Sequence, residues 1–477
     1  MRSQAMFFKA RVGEKIADVR LQQNLAGLRD KFTGMRSRAV NAYDRDSGSN
    51  FETLRDAGRD IRDRVLNNLD VWLELFEANA VRRGATVLWA RDGQEICEHV
   101  IAVARQHGVT KAIKSKSMLS EEAQLNAALT AAGIQPVETD LGEYILQIAD
   151  NEVPSHIIAP AAHKNLDEVA DLFAATHKKP RKTEIPALTR EAREVLREHF
   201  LSADMGISGG NFLIAETGTV ALVTNEGNGR MVTTLPKVHV VITGIEKIVP
   251  TLEDFATLMR LLPRSATGQE ISNYVSLLTG TRGEGDADGA EHMVYILVDN
   301  GRAGLVGTGF QEMLRCVRCG ACMNHCPVYQ TVGGHAYGWV YPGPMGSVLT
   351  PLFTGIENAL DLPHAATLCN QCGVVCPVRI PLPELLRKLR ETQTEAGLRP
   401  GSERLALKAW SWLARHPRLY SLAVKFGVRY LNWLAGGKDR IAVLGIAPGW
   451  TEGRDFPAPQ GRSFRERYKH QQERSKA

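Results

Sequence analysis

What the sequence lacks narrows its reading at once. No apolar run reaches the roughly 18 residues of a membrane-spanning helix, and the start "MRSQAMFFKARVGEK" lacks the uninterrupted apolar core of a secretory signal. Both absences point to a cytoplasmic protein with no transmembrane segment. A large excess of one charge is missing too, since the formal net charge is +5 over 477 residues. No basic stripe with interleaved aromatics appears before the last residues, which argues against a nucleic-acid partner. With 44% hydrophobic and 23% charged residues the composition is that of a folded globular chain, and the length suggests about two to four domains.

Cysteine is scarce, with eight in the whole chain. In a reducing compartment these thiols should not form structural disulfides, which leaves metal binding, catalysis or burial. Their distribution decides. "CVRCGACMNHCP" sets Cys316, Cys319, Cys322 and Cys326 before Pro327, the C-x2-C-x2-C-x3-C-P run of bacterial ferredoxins. Thiolates at every third residue of a tight loop can wrap a cubane from three sides, whereas a four-thiolate zinc site usually draws on two separated pairs. "CNQCGVVCPV" supplies Cys369, Cys372, Cys376 and Pro377, the same pattern with Ala366 in place of its first cysteine. In two-cluster ferredoxin modules the last cysteine of each run ligates the cluster of the other. That rule predicts two clusters: Cys316, Cys319, Cys322 and Cys376 on the first, Cys326, Cys369 and Cys372 on the second. With three thiolates the second is either a 3Fe-4S cluster or a 4Fe-4S cluster completed by a non-cysteine group or solvent. The eighth cysteine, Cys97, sits beside Ile96, Val100, Val103 and Ala104 at helical spacing and reads as a packed thiol.

Upstream of the cysteines, helical and strand-like segments alternate as in a parallel or mixed α/β layer structure. Ile61, Val65, Leu66, Leu69, Trp72, Leu73 and Phe76 form one helical face. "ATVLWA" reads as a short buried strand, and the Cys97 helix ends at Gly108. "KAIKSKS", "IQPVETD" and "SHIIAP" read as strands; residues 120–132 and "LGEYILQIAD" read as helices; "THKKPRKTEIP" reads as a surface connection.

From Gly206 the chain changes character, with Gly206 to Phe212, Glu216-Thr217-Gly218-Thr219, Asn225-Glu226-Gly227 and Leu235-Pro236-Lys237-Val238-His239 punctuating strand-like runs. Together with the ferredoxin run and "YGWVYPGPMG" these stretches resemble the lactate utilisation protein B family over nearly the full length. The resemblance implies an α/β fold class: a domain similar to sugar-phosphate isomerases and CoA transferases, followed by an α-helical two-cluster ferredoxin-like module. It also implies that a three-cysteine second run is usual, that the clusters are of the four-iron kind, and that the protein works with two companion subunits in oxidising L-lactate to pyruvate. On this reading residues 1–60 are an N-terminal helical segment, 61–300 the α/β domain, 301–395 the iron–sulphur domain and 396–477 a family-specific segment. The chain is then a non-catalytic electron carrier whose electron acceptor stays open. The alternative is a transferase or hydrolase acting on an acyl or CoA substrate, with structural clusters.

Other candidates are weaker. Glu216 could be a transferase nucleophile, but beside "TGT" it reads as a turn or hydrogen-bonding residue. His239 reads as a satisfied core histidine and Arg230 as a solvated hairpin residue. "GISGGNF" and "RGEGDADGAEH" match neither a dinucleotide nor a phosphate-loop spacing, and Asp286 and Asp288 lack the further ligands of a calcium loop. The basic, aromatic "LKAWSWLARHPRLYSLAVKFGVRYLNWLAGG", interrupted by Pro417, suggests a helix docked on another element or a peripheral membrane contact. The polar tail after Gly461 is expected to be mobile.

Overall fold

The computed structural model describes residues 3–475 apart from residues 273, 446, 452 and 462. Residues up to Gln393 form one compact unit and those from Thr394 a second.

Ten strands of the first unit build two sheets: β1 Thr86–Ala90, β2 Lys111–Lys114, β3 Gln135–Glu138, β4 Met205–Gly209, β5 Phe212–Ile214, β6 Thr219–Thr224, β7 Val238–Gly244, β8 Ile248–Val249, β9 Tyr274–Thr279 and β10 His292–Val298. The larger sheet is parallel throughout, in the order β1-β10-β7-β4-β2-β3. Its central strands are runs of Val, Ile and Met, as expected where both faces are covered by helices: Val240, Ile242, Ile207 and Ile296 are fully buried. The smaller sheet has the order β8-β5-β6-β9.

The chain leaves β2 towards β3 on one side and leaves β4 towards β7 on the other. The carboxyl ends of β2 and β4 therefore flank a topological switch point, where open α/β sheets leave a crevice for ligands.

Several expectations change. The helical face from Ile61 to Phe76 belongs to two helices, Phe51–Leu66 and Leu69–Arg82, broken at Asn67 and Asn68. The 120–132 segment is likewise two helices, Met118–Glu122 and Leu125–Ala131, separated where Gln124 takes a left-handed conformation. β1 is an edge strand, with Trp89 45% exposed. "SHIIAP" is not a strand: His156 Nδ1 accepts the N–H groups of Ile158 (3.0 Å) and Ala159 (3.1 Å), curling the segment into turns. Arg230 lies in the helix Asn228–Thr234, its guanidinium over the Tyr274 ring, and not in a hairpin.

The amino-terminal helices Phe8–Ala17, Val19–Asp46 and Phe51–Leu66 share one core with the cysteine loops, in which Phe8, Tyr43, Phe51 and Leu54 meet Val317, Tyr337, Tyr341 and Leu385. Arg62, 1% exposed, ties this core to the smaller sheet by donating to the carbonyls of Ile248 (2.8 Å), Leu314 (3.1 Å) and Glu246.

The second unit contains the helices Gly401–Ala414 and Pro417–Ala435, with Pro417 at the first helical position, and a two-stranded sheet of β11 Arg440–Ile441 and β12 Phe456–Pro457. Trp410, Trp412, Phe426 and Trp433 are exposed. The tail expected to be mobile forms a helix, Phe464–Arg474, started by a reciprocal capping box between Ser463 and Glu466. No helix among the described residues is long and apolar enough to cross a membrane.

Candidate metal centre

The two cysteine runs fold alike. Arg318 (φ 59°) and Leu368 (φ 57°) precede the second position of the pattern in left-handed conformation, and Gly320 (φ 74°) and Asn370 (φ 66°) follow it in the same conformation. Each run then makes a one-turn helix, Ala321–Asn324 in the first and Gln371–Val374 in the second. Non-glycine residues avoid this backbone region, so its repetition at Arg318 and Leu368 marks a loop shaped by something other than local preference. One result is that the Arg318 N–H points back to Cys316 Sγ at 3.4 Å.

Cys316, Cys319, Cys322 and Cys376 line one small cavity with Met313, Met345, Val378 and Ile380. The Ile380 N–H donates to Cys376 Sγ at 3.3 Å. Burial pushes the Cys319 thiol up to about 12, reinforced by Cys376, and pushes Cys376 up to about 11. Cys322 is raised further, by burial and then by Cys319 and Cys316. Of the other three cysteines, Cys372 also acts on the first set by raising Cys322. Burial and then Cys326 push Cys372 up to about 12, with Cys369 adding to it, and burial followed by Cys369 raises Cys326. Cys369 itself is exposed, and its value is lowered by a hydrogen bond with Thr367 and by the Gln371 N–H.

Buried thiols that resist ionisation are held as thiolates only beside a compensating cation. An iron cluster supplies that cation, and the sulphur-directed N–H groups fit its anionic sulphurs, so the donor set suits iron–sulphur ligation. Ala366 stands where the first cysteine of the second run would be and brings no ligand atom; its carbonyl accepts from Arg390 at 3.2 Å. Around the first set, Arg55 donates to the Cys376 carbonyl at 2.9 Å and Arg36 to the Val375 carbonyl at 3.1 Å. These guanidinium groups oppose the charge of a bound cluster.

The remaining sequence candidates stay outside this centre. Cys97 is half-buried against the Ala123 carbonyl at 3.3 Å. His239 is buried on β7 and bonded to Ser208 Oγ at 2.7 Å. Glu216 Oε1 accepts the Leu252 N–H at 2.6 Å, at the start of the helix Leu252–Ala266. Asp286 accepts the Gly283 N–H within an exposed loop.

A second, larger cavity of about 580 Å³ lies at the carboxyl ends of β2, β4 and β7 and was not anticipated from the sequence. Its walls include Lys116, Asp140, Gly209, Gly210, Glu226, Glu246, Lys247 and Arg302, and it shares Ile157, Val317 and Arg318 with the cysteine cavity. Arg302 is fixed by Glu122 and Glu246, each at 2.8 Å. Lys247 Nζ donates to the Cys316 carbonyl at 3.2 Å. The signal that could have found this site is the position of its residues just after strands flanking a switch point.

Comparison with known proteins accounts for almost the whole chain. The LUD domain matches residues 73–298, the 4Fe-4S dicluster domain residues 312–380, and the C-terminal domain of lactate utilisation protein B residues 387–473. Lactate utilization protein B of Lysinibacillus sphaericus is 43% identical, over 97% of this chain and 96% of that protein. The protein of the same name from a Geobacillus strain is 44% identical over 98% and 97%. An uncharacterised electron transport protein of Escherichia coli, YkgF, is 40% identical over 98% of each. A parallel α/β LUD domain followed by an iron–sulphur cluster domain, with relatives matched along their full length, shows that this chain belongs to the lactate utilisation protein B family.

Proposed function

We propose that this protein is the electron-carrying subunit of a system that oxidises L-lactate to pyruvate, working with two companion subunits in the cytoplasm. The carrying observation is that Cys316, Cys319, Cys322 and Cys376, drawn from both runs, line one small cavity, while Cys369 is exposed. Cys316, Cys319, Cys322 and Cys376 would hold one four-iron cluster, and Cys326, Cys369 and Cys372 a second with an incomplete thiolate shell. When bound, such clusters take up and release single electrons. The chain's own residues set the terms. Burial of Cys319 and Cys376 keeps water from the first site, while Arg36, Arg55 and Arg318 favour added negative charge there. The exposed Cys369 places the second site where an electron partner can approach.

The division into an N-terminal segment, an α/β domain, a cluster domain and a C-terminal segment fits this role, with the α/β part sharing the isomerase and CoA-transferase style of fold. The hydrogen bond from Leu252 gives Glu216 a structural task at a helix start, which favours a carrier over a glutamate-based acyl transferase.

The test is anaerobic addition of L-lactate to the chain co-purified with its companions, with cluster absorbance and pyruvate both measured. Bleaching with pyruvate formation in the complex, and neither with the chain alone, is the expected result. Pyruvate formation by this chain alone would overturn the assignment.

A further inference from the structure

The larger cavity carries a function of its own. Lys116 Nζ, on its lining, is sealed from solvent without a hydrogen-bond partner among the described residues, and Arg318, paired with Glu246 at 3.5 Å and lying over the Tyr341 ring, leaves its Nη1 without one. A buried ammonium left without a hydrogen-bond partner costs several kcal/mol, so a cavity that keeps Lys116 in this state, with an unfilled Arg318 N–H on its lining, is built for something that completes them. Lys247 lines the same space beside Arg318, both near Cys316.

The chemistry of the missing partner can be narrowed. The amino terminus of the helix Leu141–Ile148 opens on the cavity, but its N–H groups are already taken: Gly142 and Glu143 donate to Asp140, and Leu141 to Glu226. A phosphate would find no free backbone cradle there. Asp140, Glu226 and Glu246 also line the space, and their charges would repel a dianion more than a single carboxylate. Arg318 is the residue type suited to a planar carboxylate, while Ile157, Ile158, Leu222 and Pro263 supply apolar wall for a carbon skeleton. About 580 Å³ is within the range of small-molecule sites.

We propose that this cavity is a binding site for an organic carboxylic acid, its carboxylate held by Arg318 and Lys247 at the wall shared with the first cysteine set, with Lys116 as a further polar anchor. The site deepens the carrier reading, on which it rests for the presence of a cluster behind Cys316. It places an organic anion at the wall that the large cavity shares with the cysteine cavity through Ile157, Val317 and Arg318.

The full-length, iron-loaded protein should be titrated calorimetrically with pyruvate, L-lactate and, separately, inorganic phosphate. At least one of the two carboxylates should bind saturably and phosphate should not. Lys116→Gln should weaken that binding by roughly tenfold or more, the loss of one charge-assisted hydrogen bond, at unchanged iron content, and Arg318→Gln should weaken it by a similar factor. If Arg318→Gln lowers the iron content, Lys116→Gln decides alone, because Lys116 lies outside the cysteine loops. Absence of carboxylate binding, binding of phosphate only, or binding that survives Lys116→Gln would each overturn the site. The readout needs no electron transfer. Carboxylate binding by a protein whose clusters lactate never reduces would leave this site standing and sink the carrier reading, and lactate-driven reduction without carboxylate binding here would do the reverse.

Discussion

Cys376 lines the same cavity as Cys316, although the two belong to different cysteine runs. The loop carrying Cys376 is fixed from outside the run, by Arg55 on its carbonyl and by the Ile380 N–H on its sulphur. Cys376→Ser should therefore remove the cluster whose other three ligands lie in the first run and leave the signal of the second. Iron per chain and electron paramagnetic resonance would show this. Selective loss of the centre bound by Cys369 and Cys372 would contradict the crossed ligation.

Arg62 ties the smaller sheet to the cysteine module, one buried guanidinium serving three carbonyls. Arg62→Met keeps most of the side-chain volume but strands those acceptors. The expected cost is about 3 kcal/mol or more, and Arg62→Lys should recover little of it because a lysine cannot reproduce the fork. Urea unfolding of the three proteins checks this, and a midpoint unchanged in Arg62→Met would refute it.

Much of this architecture was legible because period and spacing carry it. The runs "ATVLWA", "KAIKSKS" and "IQPVETD" become β1, β2 and β3, and four cysteines drawn from both runs line one cavity. The failures have particular causes. The apolar face from Ile61 to Phe76 continues across Asn67 and Asn68, so periodicity does not register the break. "SHIIAP" has strand composition, yet the His156 ring takes the N–H groups a strand would have used. The tail helix had a readable sign in "SFRE", the capping-box pattern at Ser463 and Glu466. The large cavity was out of reach because Lys116, Glu226, Lys247 and Arg318 come from separate loops and meet only through the sheet order.

Glu226 gives the cavity a pH signature. Burial, then the nearby Asp140, pushes its carboxyl up to about 7 against the opposing pull of the Leu141 N–H and Lys116. In the unfolded chain a glutamic acid titrates at roughly 4.3. The folded value is the higher one, so the folded protein binds this proton more tightly. Its contribution to stability is full below about pH 4.3, declines as the pH rises to about 7, and is constant above that. Glu226→Gln should flatten this part of the profile. Denaturant midpoints of both proteins across that window test it, and parallel profiles would show that Glu226 is not the group responsible.

The final prediction concerns Ala366, whose place in the second run corresponds to Cys316 in the first. The two loops share their backbone conformation through Arg318 and Leu368 and again through Gly320 and Asn370, so a cysteine introduced at 366 enters a loop already shaped for a ligand. On the proposed ligation, a four-iron cluster at Cys326, Cys369 and Cys372 would have one iron without a thiolate. Thr367, Leu368, Cys369 and Asn370 are exposed, which gives oxidants access to that corner. Mild oxidation should therefore release one iron from this site and leave a three-iron centre, while the first site, with Cys319 and Cys376 buried, stays intact. Ala366→Cys should suppress the conversion by completing the thiolate shell. The Ala366 carbonyl already bonds Arg390, so the backbone at this position is held in place and the substitution changes the side chain alone. Electron paramagnetic resonance of anaerobically prepared protein, before and after limited oxidation, gives the answer. Two equally oxidation-resistant four-iron signals in the unsubstituted protein would mean that a group other than cysteine completes the second site.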